Sequence, residues 1–237
     1  MTNTGKFKDH IGKVTDTVRD LSAWILRSFK SRSPVLMLQL WKSIVIPHLD
    51  YCSQLWNPKN VSAIQQLEEL QKSFVRRIAG FRHMNYWDAL RKLSLYSLQR
   101  RRERYQIIYI WSILEGIAPN ILSEDGLPLV SEQTNYSARK GRTVHLPAVK
   151  RSKFSSLRYN SLPYHGARLF NRMPNNLRSL TRISKNEFKL HLDNFLKLVN
   201  DEPQILQYTY CRRAPSNSLV DMCATTSRSE SAMGRGY

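Results

Sequence analysis

Apolar residues recur at steps of three and four along the chain, which is the spacing of one buried face of an α-helix. Five such stripes predict helices over residues 11–25, 36–44, 61–78, 98–114 and 188–196. The first three stripes comprise Ile11, Val14, Val18, Leu21 and Ile25; Leu36, Leu40 and Ile44; and Val61, Ile64, Leu67, Phe74 and Ile78. The fourth is apolar almost all round between residues 107 and 114, so we expect that helix to lie centrally.

Residues that start and stop helices flank these stripes. Ser33 and Pro34 are typical of an N-cap followed by proline in the first turn. Pro47 lacks a backbone donor and is expected to kink or break the second helix. Gly80 suits a C-terminal cap, and Ser97 suits the N-cap of the long fourth helix. We interpret Glu68 and its neighbour Glu69 as a solvated helix face.

The second half of the chain is less regular. We predict a helical region over 1–117, a linker over 118–138, a basic region with a terminal helix over 139–202, and a disordered tail over 203–237. Within the basic region, apolar and polar residues alternate weakly over 143–146, which suggests a strand. A helix from Leu162 is expected to stop before Pro174. Ser184 and Glu187 have the spacing of a capping box. The predicted fold class is therefore mainly α: a helical bundle with a partly irregular C-terminal region.

The net charge of the chain indicates the class of its binding partner. The chain has 37 basic and 18 acidic residues, a net charge of +19, which favours a polyanion such as RNA, DNA or their hybrid. No apolar stretch is long enough to span a bilayer and the N-terminus lacks the pattern of a signal peptide, so we expect no membrane contact. Three scattered cysteines indicate a reduced, intracellular protein, nuclear or cytoplasmic.

The order of motifs resembles a known family. From Ser43 to Gly80 the chain follows a pattern of proline, tyrosine, serine and tryptophan and then a basic helix end, at Ser43, Pro47, Leu49, Tyr51, Ser53, Trp56, Pro58, Gln71, Lys72, Arg76, Arg77, Ile78 and Gly80. Later matches are Ser97, Leu98, Arg101 and Arg102, the run LFNRMPNNLRSL from Leu169 to Leu180, and the segments 201–204 and 212–222. Together they resemble the region after the catalytic palm in reverse transcriptases of non-LTR, LINE-type, jockey-like retrotransposons.

The resemblance runs from about Lys8 to Met222 and implies a thumb and C-terminal region of an RNA-directed DNA polymerase. In that family the thumb helices hold the template–primer duplex through backbone contacts, and the catalytic part lies upstream. We expect this chain to lack the palm and to be no enzyme by itself. Two other interpretations stay open: a non-enzymatic nucleic-acid-binding module, and a helical remnant of a mobile element with no function.

Catalytic patterns are missing from the sequence. Polymerisation needs carboxylates that hold two metal ions, and the sequence contains no Asp-Asp pair. Its histidines lack metal-ligand spacing, and it has neither a phosphate-binding glycine loop nor a nucleophile elbow. We therefore predict no catalytic residue, no metal and no cofactor.

Three basic clusters are candidates for contact with nucleic acid. Arg76 and Arg77 lie in the last turn of a predicted helix, where they either bind phosphate or stabilise the helix end through its dipole. The second cluster comprises Arg100, Arg101, Arg102 and Arg104, and the third is the stretch 139–158, which includes Arg139, Lys140 and Arg142. The third either follows a single strand by charge and stacking or is a solvated loop.

The second cluster is predicted to lie at a helix end that disfavours cations. If Ser97 is the N-cap, its four arginines stand at the positive end of a helix dipole, where each cation costs about 0.3–1 kcal/mol. Glu103 is the only acid nearby in sequence. A bound anion would reverse the sign of this cost, which favours phosphate contact. The alternative is that the long side chains extend away over Tyr96 and Tyr105.

Overall fold

In a computed structural model, the described residues are 7–58, 60–119, 142–144, 161–202 and 217–223, and they are mainly α-helical with no β-strand among them. The helices are α1 (Lys8–Ser28), α2 (Pro34–Leu40), a π-helical segment (Trp41–Val45), α3 (Ile46–Asp50), α4 (Ser53–Trp56), α5 (Val61–Val75), α6 (Tyr86–Lys92), α7 (Leu98–Leu114), α8 (Leu162–Arg172), α9 (Asn175–Arg178), α10 (Lys185–Leu196) and α11 (219–223). The predicted fold class is confirmed.

Packing divides these residues into two compact units. The first unit contains the described residues of 7–102 together with 201–202, and the second contains those of 103–200 together with 217–223. The boundary falls inside α7, whereas the sequence pattern predicted a division at 118–138. Most of that predicted linker lies outside the described residues.

The core of the first unit forms around the predicted stripe of α1. Ile11, Val18 and Ile25 are buried, and α1 packs on α3, α5 and the π-helical segment. The ring of Trp41 lies 4.5 Å from that of Phe74 on α5, centroid to centroid. Burial of these large side chains supplies the main stabilisation of the unit.

Pro47 distorts its helix as predicted. Proline donates no hydrogen bond, so the carbonyl four residues before it loses its usual partner. The helix widens just before this point: residues Trp41–Val45 are π-helical, and the Ile46 N–H donates to the Trp41 carbonyl five residues earlier. Helical structure then continues as far as Asp50. Ser33 precedes α2 as predicted, but its side chain makes no capping bond.

Polar residues on α5 depart from the sequence prediction. Val61, assigned to the buried face, is half exposed, because the helix begins there and Asn60 provides its cap through a 3.0 Å bond from the Ser62 N–H. Glu68 is fully buried, so its assignment to a solvated face is wrong. Glu69 is exposed as expected. The periodicity of α5 placed Leu67 and Phe74 correctly in the interior, but not Val61 or the polar residues beside the stripe.

The second unit packs around the apolar part of α7. Trp111 stacks on Phe188 with 4.3 Å between ring centroids, and its indole N–H donates to the Leu180 carbonyl at 2.9 Å. Gly166 of α8 lies so close to α7 that an added Cβ would stand 2.9 Å from Cγ1 of Ile110. The absence of a side chain at residue 166 therefore permits the close packing of these two helices.

The segment 217–223 differs from the predicted disordered tail. It contains α11, with Leu219 buried, and the Leu219 N–H donates to Oε2 of Glu103 at 2.9 Å. The Ser218 hydroxyl donates to Oε1 of the same carboxylate at 2.7 Å. An internal acid far away in sequence thus anchors this part of the tail. The remaining predicted tail residues, 203–216 and 224–237, lie outside the described residues.

Candidate nucleic-acid interface

The start of α7 contacts two acidic side chains of the protein itself, those of Asp201 and Glu68. Ser97 is the N-cap, and its hydroxyl accepts a bond from the Arg100 N–H at 3.0 Å. The Asp201 carboxylate accepts from both the N–H and the hydroxyl of Ser97, each at 2.7 Å. The Glu68 carboxylate accepts from the Leu98 N–H at 3.0 Å. Two carboxylates therefore occupy the positive end of this helix, where the sequence argument placed a phosphate.

The arginines of this cluster also face internal partners. Arg100 and Arg102 are 0% and 2% exposed, and Arg102 donates to Oδ1 of Asn57 at 3.1 Å. Arg101 donates from Nε and Nη2 to Oδ2 of Asp50 at 2.9 and 2.8 Å. In the second unit, Arg104 donates from Nε and Nη2 to the two oxygens of Asp193, at 2.5 and 2.7 Å.

These contacts favour the packing alternative for Arg100, Arg101, Arg102 and Arg104. Forked guanidinium–carboxylate pairs of this kind are among the strongest polar contacts in proteins. The guanidinium carbon of Arg104 lies 5.8 Å from the centroid of the Tyr105 ring, as that alternative has it, whereas Arg100 and Arg102 turn into the interior. Contact between these four residues and phosphate stays a prediction. Their internal contacts make them weaker candidates for an interface than exposed arginines.

Burial controls the electrostatics of Glu68. Loss of hydration raises its pKa from the ordinary value of 4.5 to about 7, and bonds from Tyr86 and the Leu98 N–H oppose the rise. The Tyr86 hydroxyl donates to Oε1 of Glu68 at 2.6 Å, and burial holds the pKa of Tyr86 well above its usual value. Gln71 completes the network by donating to the tyrosine oxygen at 3.1 Å. This polar network lies in the interior of the first unit.

The third cluster is described only in part. Arg142 donates to Glu115 at 2.5 Å and to the Leu114 carbonyl at 3.2 Å, which ties it to the end of α7. Arg178 donates to the Arg142 carbonyl at 3.1 Å, and burial lowers the pKa of Arg178. This arrangement gives Arg142 a structural role and leaves its contact with nucleic acid a prediction. Arg139 and Lys140 lie outside the described residues.

A concave cationic surface lies at the other predicted site, where α5 ends. We call it the arginine pocket: a cavity of about 880 Å³ lined by Arg32, Arg76, Arg77, Arg82 and His83 together with Ile78, Ala79 and Gly80. Gly80 has a φ of +84°, a left-handed conformation that turns the chain away from the helix axis. The turn brings residues 82 and 83 back to the same cavity as Arg76 and Arg77.

Arg32 is fixed in position within the arginine pocket. Its guanidinium donates to the carbonyls of Leu26, at 2.6 Å, and Phe29, and so caps the C-terminal end of α1. Its own carbonyl accepts the Ala79 N–H at 2.8 Å, which joins the segment after α1 to the turn after α5. By contrast, Arg76, Arg77, Arg82 and His83 are exposed. One positioned cation and several exposed ones therefore surround a single cavity, and no carboxylate is among its described lining residues.

The sequence analysis found two of these five side chains, Arg76 and Arg77. Arg82 and His83 follow Gly80 closely, so a turn at that glycine was the available signal for them. Arg32 had no such signal, because its place in the pocket depends on the packing of α1 against α5. The structure thus separates the predicted arginines into an interior set at α7 and an exposed set at the end of α5.

Within the described parts of the chain, no group of three or more histidine, cysteine or acidic side chains is placed to hold a metal ion. None of the described helices is long and apolar enough to cross a membrane. Comparison with known proteins gives no match to a family model, a curated protein or a solved structure.

Proposed function

We propose that this chain is the thumb and C-terminal region of a LINE-type retrotransposon reverse transcriptase, and that its first unit holds nucleic acid by the phosphate backbone. The observation that carries the binding proposal is the arginine pocket, a single cavity lined by four arginines and one histidine. The family assignment is based on the order of sequence motifs. The proposed ligand is RNA, DNA or their hybrid, bound with little regard to sequence.

The chemistry of the pocket fits a phosphodiester. A guanidinium presents several N–H donors in a plane that matches the oxygens of a phosphate group. Phosphate oxygens are the same at every nucleotide, so contacts of this kind position a nucleic acid without reading its bases. Because Arg32 is held by backbone carbonyls, part of the positive charge is already in place before a ligand arrives.

In a polymerase, a thumb with such a pocket would keep the template–primer in register for an active site elsewhere in the protein. None of the described residues is assigned a catalytic step, and the pocket residues act by binding and positioning alone. The same binding would serve a non-enzymatic module, so the binding test below addresses the property that both interpretations share.

Loss of the pocket charge is expected to weaken binding strongly. The variant carries Arg76→Gln, Arg77→Gln and Arg82→Gln, and its affinity for a short DNA duplex is measured by fluorescence anisotropy. Each exposed arginine–phosphate contact is worth about two- to fivefold, so the triple variant should bind roughly 10- to 100-fold more weakly.

The matched control removes the same charge from exposed positions outside the pocket, with Lys13→Gln, Lys42→Gln and Lys92→Gln. This control should lose only the small non-specific part of the affinity. Equal affinities of the two triple variants would contradict the proposed function. Thermal unfolding of both variants checks that each is folded.

A further inference from the structure

A groove between α1 and α5 lies next to the arginine pocket. It has a volume of about 310 Å³, and its polar lining residues are Arg19, Ser22, Gln66, Glu69, Ser73 and Arg77. Arg77 lines both the groove and the arginine pocket, so the two cavities share a wall. Leu26, Leu70 and Phe74 provide its apolar floor.

The direction of the groove follows from the two helices. α1 and α5 pack side by side, and the bond from Ala79 to Arg32 joins the segments that follow them. The Arg77 end of the groove therefore lies next to the arginine pocket, and Arg19 and Gln66 lie at the far end. From Arg19 to Leu26 the helix rises about 10 Å. At the rise of about 3.4 Å per nucleotide of a stacked, B-form strand, this length corresponds to roughly three nucleotides.

We infer that the groove between α1 and α5 takes a single nucleic-acid strand that leaves the arginine pocket, with Arg19 contacting a phosphate at the far end. This inference rests on the proposed function, because the pocket supplies the first contact. Arginines line both ends of the groove, and the hydroxyls of Ser22 and Ser73 and the amide of Gln66 provide further hydrogen-bond donors along it. The apolar floor suits sugar and base faces.

Two charges already in the groove make the inference testable in both directions. Arg19 is exposed and pairs with Asp16 at 3.3 Å, a contact that solvent weakens and a phosphate can replace. Glu69 is exposed on the opposite helix and pairs with Lys72 at 2.9 Å. A strand in the groove would be attracted by Arg19 and repelled by Glu69. Neutral substitutions at these two positions should therefore change its affinity with opposite signs.

The experiment measures the affinity of the full chain for oligothymidylates of about two and about eight nucleotides. The shorter probe fits within the arginine pocket, and the longer one reaches the far end of the groove. Arg19→Gln should weaken binding of the longer probe about two- to fivefold, and Glu69→Gln should strengthen it by a similar factor. Neither variant should change the affinity for the shorter probe.

The control for Arg19→Gln is Arg27→Gln, an exposed arginine on the same helix that lines neither cavity. The salt dependence of binding gives a second readout. Losing one phosphate contact to a single strand lowers the magnitude of the slope of log binding constant against log salt concentration by about 0.7. If Arg19→Gln and Glu69→Gln match the control with the longer probe, the groove inference is overturned.

Further outcomes separate the two proposals. If the charge effects appear with a DNA duplex and not with the longer single strand, assignment of the groove to a single strand is overturned. If the triple arginine-pocket variant binds the shorter probe as well as the unaltered chain does, the proposed function fails, whatever the groove variants do.

Discussion

Replacing Arg100, Arg101, Arg102 and Arg104 together by glutamine is expected to unfold the chain or leave it close to unfolding at neutral pH. Removing one partner of a buried charge pair costs about 3–5 kcal/mol, and two of these arginines are almost completely buried. The other two form forked pairs with Asp50 and Asp193. The summed loss is comparable with the whole stability of a typical domain, about 5–15 kcal/mol.

Urea unfolding followed by tryptophan fluorescence measures this loss. The control variant changes Arg76, Arg77 and Arg82 to glutamine, since these exposed side chains contribute at most about 0.3–1 kcal/mol each through the helix end. The quadruple variant should unfold at much lower urea than the control. A quadruple variant with the midpoint of the unaltered chain would show that the α7 arginines do not stabilise the interior, and it would restore them as candidates for phosphate contact.

The second large effect is a loss of stability as pH rises. Burial raises the pKa of Glu68 from 4.5 to about 7, so the folded state holds its proton more tightly than the unfolded chain does. The resulting stabilisation is complete below about pH 4.5 and is lost as pH rises through about 7. Over this range Glu68 should lower the free energy of unfolding by about 3 kcal/mol.

Glu68→Gln isolates this contribution, because the amide has a similar shape and does not titrate. The difference in unfolding free energy between the unaltered chain and Glu68→Gln is measured by urea denaturation from about pH 4.5 to about pH 8. Other titrating groups are common to both proteins and cancel. The difference should fall with pH by about 3 kcal/mol. A difference independent of pH would mean that Glu68 has an ordinary pKa.

Helices were predictable because their signals are local. The spacing of Ile11, Val18 and Ile25, proline at the start of α2 and the capping serine before α10 all act within a few residues, and each is found where the pattern placed it. The widened turn before Pro47 also follows from a single missing donor.

The polar interior was not predictable in the same way. Asp201 reaches the start of α7 from 104 positions along the chain, and Asp50 reaches Arg101 from 51 positions away. A search for acids near the arginine cluster in sequence therefore found only Glu103. The sequence argument favoured a bound phosphate at this helix end, whereas tertiary structure places the side chains of Asp201 and Glu68 there.

Two of the five charged or histidine side chains of the candidate site were predictable from the sequence. Arg76 and Arg77 were identified because a helix end is a local feature, and the αL glycine at residue 80 was expected for the same reason. The concavity that makes these residues a candidate site depends on the packing of α1 beside α5 and on the anchoring of Arg32. Neither can be derived from residue spacing alone.

The central claim is that exposed arginines at the end of α5 hold the phosphate backbone. Its most direct test is the salt dependence of binding to a short DNA duplex, measured for the unaltered chain, the Arg76, Arg77 and Arg82 triple variant, and Arg101→Gln. On B-form DNA, each lost phosphate contact lowers the magnitude of the slope of log binding constant against log salt concentration by about 0.9. We predict a slope lower by up to about three for the triple variant and unchanged for Arg101→Gln. An unchanged slope in the triple variant would contradict the account, whatever the slope for Arg101→Gln.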